Sequence, residues 1–291
     1  MTQSSYGQVS FLPDLMREPD RNFEQGGRSF YFFDFDDNVM HLDTKIVLFR
    51  RGSDEEREIS TTEYASVHGL VGREGTAWSE WEIRTKVAEF GSYRNFRDLP
   101  GEARGGDRQP LVRDVREALA NAVTDWRGPS WAFFVHAVNQ SRPISLITAR
   151  GHHPHTLRRA VDLLAQTRDL PANPNYLSLY PVTHPDVQKL LGDPEGRASI
   201  AELKKEAIKR AVADAFECFG ANPSHRFGMS DDDPANVRLI AQAFRELKQD
   251  YPDNAFFVFN THGRQLVREE ILLDGSATDT LKAEQIELFK G

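Results

Sequence analysis

Asp34 and Asp36 stand one residue apart at the end of a short aromatic run, Phe30-Tyr31-Phe32-Phe33, that reads as a buried β-strand. On extended backbone, side chains two residues apart point to the same side, so the two carboxylates face together with Phe35 opposite. Charges at the end of a buried strand are costly unless something holds them, and a hard divalent cation with oxygen ligands is the usual holder. A second acidic run, Asp231-Asp232-Asp233, follows the strand-like stretch 226–230, and a third short strand, 144–148, ends on Thr148. The chemistry these residues offer is cation binding by carboxylates with a hydroxyl donor beside them. The competing reading is a set of acidic turns, because Asp and Asn favour turns on their own account.

The elements that must position these groups follow a simple order. Between residues 130 and 260 the strands 144–148, 176–182, 226–230 and 255–259 alternate with helical patterns. The first of those helices carries Leu157, Val161 and Leu164 on one face, the second spans 200–219, and the third spans 236–247. Such alternation predicts an α/β fold with a mostly parallel sheet and right-handed crossovers. Open sheets of this kind bind ligands at the carboxyl ends of their strands, so the three strand-end groups are expected to converge on one site. Ahead of this core, residues 44–50 read as a strand and 57–61 as its antiparallel return. A helix start follows, with Ser60 or Thr61 capping ahead of Glu63. Residues 91–110 are rich in Gly, Arg and Pro and read as a loop, and 111–126 has helical periodicity.

Composition sets the outer limits. The 291 residues suit one large α/β domain or a core with an inserted subdomain. A net charge of −8 disfavours general affinity for nucleic acid or an anionic membrane. Neither a signal peptide nor a membrane span is expected, and the lone Cys218 excludes an internal disulfide framework. A cytoplasmic location is the expectation.

The order of an aspartate pair, a strand-end Thr, a helix-borne Lys and a second acidic cluster resembles the haloacid-dehalogenase superfamily of phosphohydrolases. Asp34-Phe35-Asp36-Asp37 is similar to that family's first motif, and 144–148 continued by Ala149-Arg150 to its second. The lysines of 203–208 are candidates for the third, and 230–237 resembles the acidic fourth. The resemblance implies a Rossmann-like parallel core (residues 29–38 and 130–265), with an inserted cap or β extension at 39–129 after the first strand. Residues 1–28 would then be an N-terminal arm and 266–291 a C-terminal tail. It implies Mg²⁺-dependent hydrolysis of a small phosphomonoester through an aspartyl-phosphate, with Asp34 as nucleophile and Asp36 as general acid and base.

In that scheme Lys204 offsets negative charge, with Lys205 second choice and Lys209 third. Thr148, Ala149, Arg150 and Lys205 contact the phosphoryl group. Asp34, Asp231 and Asp232 hold the metal, with Asp231 favoured over Asp232, and Asp36 contributes its backbone carbonyl. Asn38 departs from the family, which usually carries Thr or Val four residues after the nucleophile. Rival readings are phosphoryl transfer to another acceptor and a catalytically silent scaffold that binds metal or ligand.

Other residues are given plainer expectations. His152, His153 and His155 read as a loop entering a helix rather than a zinc site. Cys218 reads as core, and Trp78, Trp81, Trp126 and Trp131 as packing. His262 and Arg264 are placed at a turn or pocket wall. Arg94, Arg97 and Arg104 belong to a solvated loop, or to a cap loop that reads a second anionic group.

Overall fold

The computed structural model describes residues 17–85, 91–121, 125–262 and 267–279. Its centre is the aromatic strand β1 (Ser29–Phe33), where the two-residue alternation of a strand serves both faces at once. Phe30 and Phe32 enter one apolar cluster, while Phe33 and Phe35, with Tyr31 packed against them, enter the other. A strand that must be apolar on both sides belongs in the middle of a covered parallel sheet. There β1 lies, hydrogen-bonded in parallel to β5 (Pro143–Thr148) on one side and β7 (Arg226–Asp231) on the other.

The remaining strands extend this core. β6 (Asn175–Pro181) pairs in parallel with β5, and β8 (Ala255–Asn260) with β7. β9 (Val267–Ile271) and β10 (Ala277–Asp279) add antiparallel, so the seven-stranded order is β10-β9-β8-β7-β1-β5-β6. The segment 267–279 is thus part of the core sheet rather than a tail, because the edge of β8 offers unpaired backbone groups that β9 satisfies.

Helices cover both faces. α6 (Ile200–Phe219) and α7 (Pro234–Asp250) pack on the Phe30–Phe32 side through residues such as Ala207, Val212, Ile240 and Phe244. α2 (Pro110–Ala120), α3 (Trp131–Asn139) and α4 (Pro154–Gln166) pack on the other through Leu111, Val115, Phe134 and Val161. α2 lies inside the span 39–129 yet buries its apolar face in the core cluster, so that segment is not a separate body throughout. Its independent part is a three-stranded antiparallel sheet, β3-β2-β4, of β2 (Ile46–Arg50), β3 (Glu56–Ile59) and β4 (Trp81–Glu82). The short helix α1 (Thr61–Val67) follows β3 and is capped by Ser60, whose hydroxyl accepts from the Glu63 amide. Ile46, Leu48, Ile59 and Trp81 form the sheet's own small core.

Two further expectations change. Cys218 is exposed, not core, because in the last turn of α6 Phe216 and Phe219 take the inward side, packing on Phe227 and Phe30. Residues 17–28 are anchored: Asn22 donates to the Ser224 carbonyl at 2.8 Å, and the Arg28 amide donates to His225 Nδ1 at 3.0 Å. Arg264 lies outside the described residues. Among the described residues no helix is long and apolar enough to cross a membrane.

Candidate metal and phosphoryl site

The carboxyl ends of β1, β5 and β7 meet, because the three strands are adjacent and parallel. Beyond Phe33 the chain keeps its contact with β7, the Asp34 amide donating to the Ser230 carbonyl at 3.2 Å. It then turns tightly, with Val39 and Met40 amides on the Phe35 carbonyl and Asp37 at a φ of +59°. Asp tolerates that left-handed conformation better than most residues. Asn38 is fully buried and binds this turn to its neighbours. Its Nδ2 donates to the Asp34 carbonyl and to Ser230, and its Oδ1 accepts from Ser130 and Thr261. It therefore braces the turn against β7 and does not reach Asp36.

Asp34 lies in a carboxylate cluster. Lys204, on the buried face of α6, donates to Asp34 Oδ1 at 2.7 Å and lies 3.7 Å from Asp231 Oδ2. Asp231 accepts at Oδ1 from the Asp233 amide and from Asn236, while its buried Oδ2 has no hydrogen-bond partner. Asp34, Asp231 and Asp232 each place a carboxylate oxygen within 4.8 Å of the others. Burial raises Asp34 well above the usual carboxylate range; Lys204 opposes this and Asp231 and Asp36 reinforce it. Asp231 is likewise raised by burial against the pull of Lys204. Asp232 is pushed up to about 6, by burial and then by Asp231. Burial alone would lower Lys204, but Asp34 and Asp231 outweigh it and hold the ammonium charged.

Three carboxylates with one ammonium leave negative charge uncompensated in a place where water is scarce. An all-oxygen donor set with one orphaned buried oxygen fits a hard divalent cation such as Mg²⁺. Asp34, Asp231 and Asp232 could hold it, and the geometry does not choose between the last two, since both bring an oxygen into the cluster.

Asp36 has turned toward different partners. Arg150 donates to its Oδ1 from Nε at 2.9 Å and from Nη2 at 2.7 Å, and Thr148 Oγ1 donates to Oδ2 at 2.9 Å. Arg150 is buried to 1% exposure, with its guanidinium 4.9 Å from the centre of the Phe96 ring. Its Nη2 also donates to Thr44, whose hydroxyl donates to Asp114 at 2.6 Å. Arg150, expected as a phosphoryl contact, is thus the clamp on Asp36, and it ties that residue to both ends of the insertion. The side chain of Arg, with a planar fork of donors, suits this bidentate role where Lys would not. Thr148 shares the clamp, and Ala149 beside it is exposed.

Lys205 does not enter the site. Successive helical residues differ by about 100° around the axis, so Lys205 turns to α7 and pairs there with Glu246, as does Lys209 at 2.7 Å. These two lysines pull the Glu246 carboxyl down to about 2. The histidines after β5 also form no metal group among the described residues. His152 is buried with neither ring nitrogen paired, and His153 caps the α4 amide of His155. A cleft of about 540 Å³ opens beside Asp232, lined by Asp37, His41, Arg127, Trp131 and His262 among others. Gly128 in its wall packs so tightly on the β1 turn that a Cβ there would lie 2.3 Å from the Asn38 carbonyl oxygen.

Comparison with protein-family models, curated proteins and solved structures finds no match to this chain. Sequence reasoning did not anticipate the Arg150–Asp36 clamp or its Thr44–Asp114 extension. The available signal was the arginine two residues after Thr148, a spacing that returns a side chain to the same side of extended backbone.

Proposed function

We propose that this chain is a Mg²⁺-dependent phosphohydrolase acting on a phosphomonoester through an aspartyl-phosphate, as its resemblance to the haloacid-dehalogenase superfamily implies. The observation that carries the reading is the buried cluster of Asp34, Asp231 and Asp232 with Lys204 at 2.7 Å and an unpartnered Asp231 oxygen. A bound Mg²⁺ would supply charge neutralisation that lets a carboxylate approach an anionic ester. Asp34 attacks phosphorus, forming an acyl-phosphate bond as the bond to the leaving oxygen breaks. Lys204 holds the nucleophile in place and offsets charge on the phosphoryl oxygens. Asp36 gives its proton to the leaving alcohol and takes one from the water that later cleaves the aspartyl-phosphate, regenerating Asp34. For that step one Asp36 oxygen must come free of Thr148 or Arg150. The cleft along Asp232 offers the leaving group room beside Trp131 and Arg127. The substrate is proposed to be a small molecule and the setting cytoplasmic.

The clamp on Asp36 supports a second reading, a metal-binding scaffold without turnover, since both of its oxygens already have donors. Hydrolysis of a generic aryl phosphate separates the two. Mg²⁺-dependent release by the parent, lost in Asp34→Asn, supports the enzyme. Release that persists in excess chelator, or equally in Asp34→Asn, overturns it. Divalent-cation binding to a parent that releases nothing from a broad phosphomonoester panel supports the scaffold.

A further inference from the structure

The seam between the insertion and the loop after β5 brings two arginines, an aspartate and a histidine together. A cavity of about 220 Å³ lies there, lined by Arg94, Arg97, Asp98, Gly151 and His184 among others. That volume is below the roughly 300 Å³ at which pockets hold drug-sized molecules, and suits one small charged group.

Most of its charges are already engaged. Arg94 is held by Glu56 through two bonds of 2.8 and 2.6 Å. Asp98 accepts at Oδ2 from Thr156 at 2.9 Å and from the His153 amide at 3.4 Å, so that oxygen is committed to the start of α4; its Oδ1 has no partner. The guanidinium of Arg97, by contrast, has no side-chain or carboxylate partner among the described residues. Burial holds His184 below its usual value; Asp186 and Asp98 oppose this, and Arg104 and Arg97 add to it. His152, buried nearby with both ring nitrogens unpaired, is held well below its usual pKa by burial and then by Arg150, His184 and Arg97.

The floor is rigid. Arg97 forms a backbone bridge with Gly151, whose amide donates to the Phe96 carbonyl at 2.9 Å. A Cβ at Gly151 would lie 2.9 Å from Thr183 Oγ1 and 3.3 Å from Arg97 Cγ, so the loop and the arginine stem already touch.

We propose that this seam is a binding site for a small oxyanion, a phosphate or carboxylate group, held by the free guanidinium of Arg97 beside His184. The site needs neither Mg²⁺ nor Asp34 and stands apart from the phosphohydrolase reading. An Arg fork and an imidazole supply donors to such a group, and a charge-assisted bond gains strength in a half-buried pocket.

The test is a pair of titrations, inorganic phosphate in one arm and acetate in the other. Both are followed by NMR through the ring C–H resonances of His184 and His153, at fixed ionic strength with chelator present. Saturable shifts are expected with at least one anion. Arg97→Ala should weaken binding by about tenfold or more, the worth of one charge-assisted hydrogen bond. Arg97→Lys should retain part of it, and Asp34→Asn should leave it unchanged. Saturation by phosphate alone assigns the site to phosphoryl groups, and saturation by acetate assigns it to carboxylates. Linear, unsaturable shifts in both arms, or an Arg97→Ala variant that titrates like the parent, overturn the proposal. Arg97 makes no side-chain bond, so loss of fold does not confound the alanine variant, and a thermal melt checks this.

Discussion

Asp34 and Asp36 are two residues apart, yet each heads a buried ionic cluster of opposite character. On the β7 side, Asp34, Asp231 and Asp232 share one ammonium, and an oxygen of Asp231 is left without a partner. On the β5 side, Asp36 has a guanidinium and a hydroxyl on its two oxygens, and the network continues through Thr44 to Asp114. The second cluster is compensated and holds the insertion against the core. The first carries charge that folding alone has not balanced, the character expected of the proposed cation site rather than of a structural ion pair.

Substitutions that treat the clusters alike should give unlike results. Asp34→Asn preserves shape but removes the proposed nucleophile, so turnover should fall by roughly 10⁴-fold with the melting temperature kept or raised. Asp36→Asn should lose about 10²- to 10⁴-fold, the usual worth of the general acid and base it is proposed to be, and should also be less stable because Arg150 is left without its carboxylate. Equal stability of the two variants in denaturant would dissolve the contrast.

Next in size is Arg150→Met. It strands a carboxylate whose other donor is a neutral hydroxyl, and about 3 kcal/mol of unfolding free energy should be lost. Adding Asp36→Asn should recover part of that loss. Strict additivity in the double variant would show that the two side chains are not coupled.

The uncompensated cluster should respond to metal. Mg²⁺ at a hundredfold its dissociation constant should stabilise the parent by about 2.7 kcal/mol, read as a rise in melting temperature. Asp231→Asn should abolish most of that rise, whereas Asp114→Asn, in the compensated cluster, should not.

The smallest effect is a pH dependence. Asp232 is raised to about 6 in the folded chain, while in the unfolded chain it titrates near the ordinary value of about 4. Folded protein therefore keeps a proton that unfolded protein has lost between these values. The stability of the metal-free parent relative to Asp232→Asn should be full below about pH 4 and decline as pH rises through about 6. Saturating Mg²⁺ should flatten the decline; a slope that Mg²⁺ leaves untouched would remove Asp232 from the cation site.

The periodic elements were legible without coordinates. Two-residue alternation in Phe30–Phe33, the apolar spacing of Leu157, Val161 and Leu164, and the long amphipathic pattern of 200–219 depend on local geometry alone. Parallel neighbours then bring strand ends together, so the meeting of Asp34 with Asp231 also followed, whereas Thr148 joined Asp36 instead. The antiparallel return after β2 and the Ser60 cap were local as well.

What the amino-acid order could not decide was which partner each charged side chain would find. Lys204 and Lys205 are adjacent and chemically identical, and only the packing of α6 against β1 and α7 sends one to Asp34 and the other to Glu246. Asp36 is expected to face the same side as Asp34, but Arg150, more than a hundred residues away, takes it toward β5. The segments of α2 and β9, read from the sequence as insertion and tail, join the core through contacts with α4, distant in sequence, and with β8. Local periodicity determines elements; long-range packing determines which buried charges are paired, and so which remain available for chemistry.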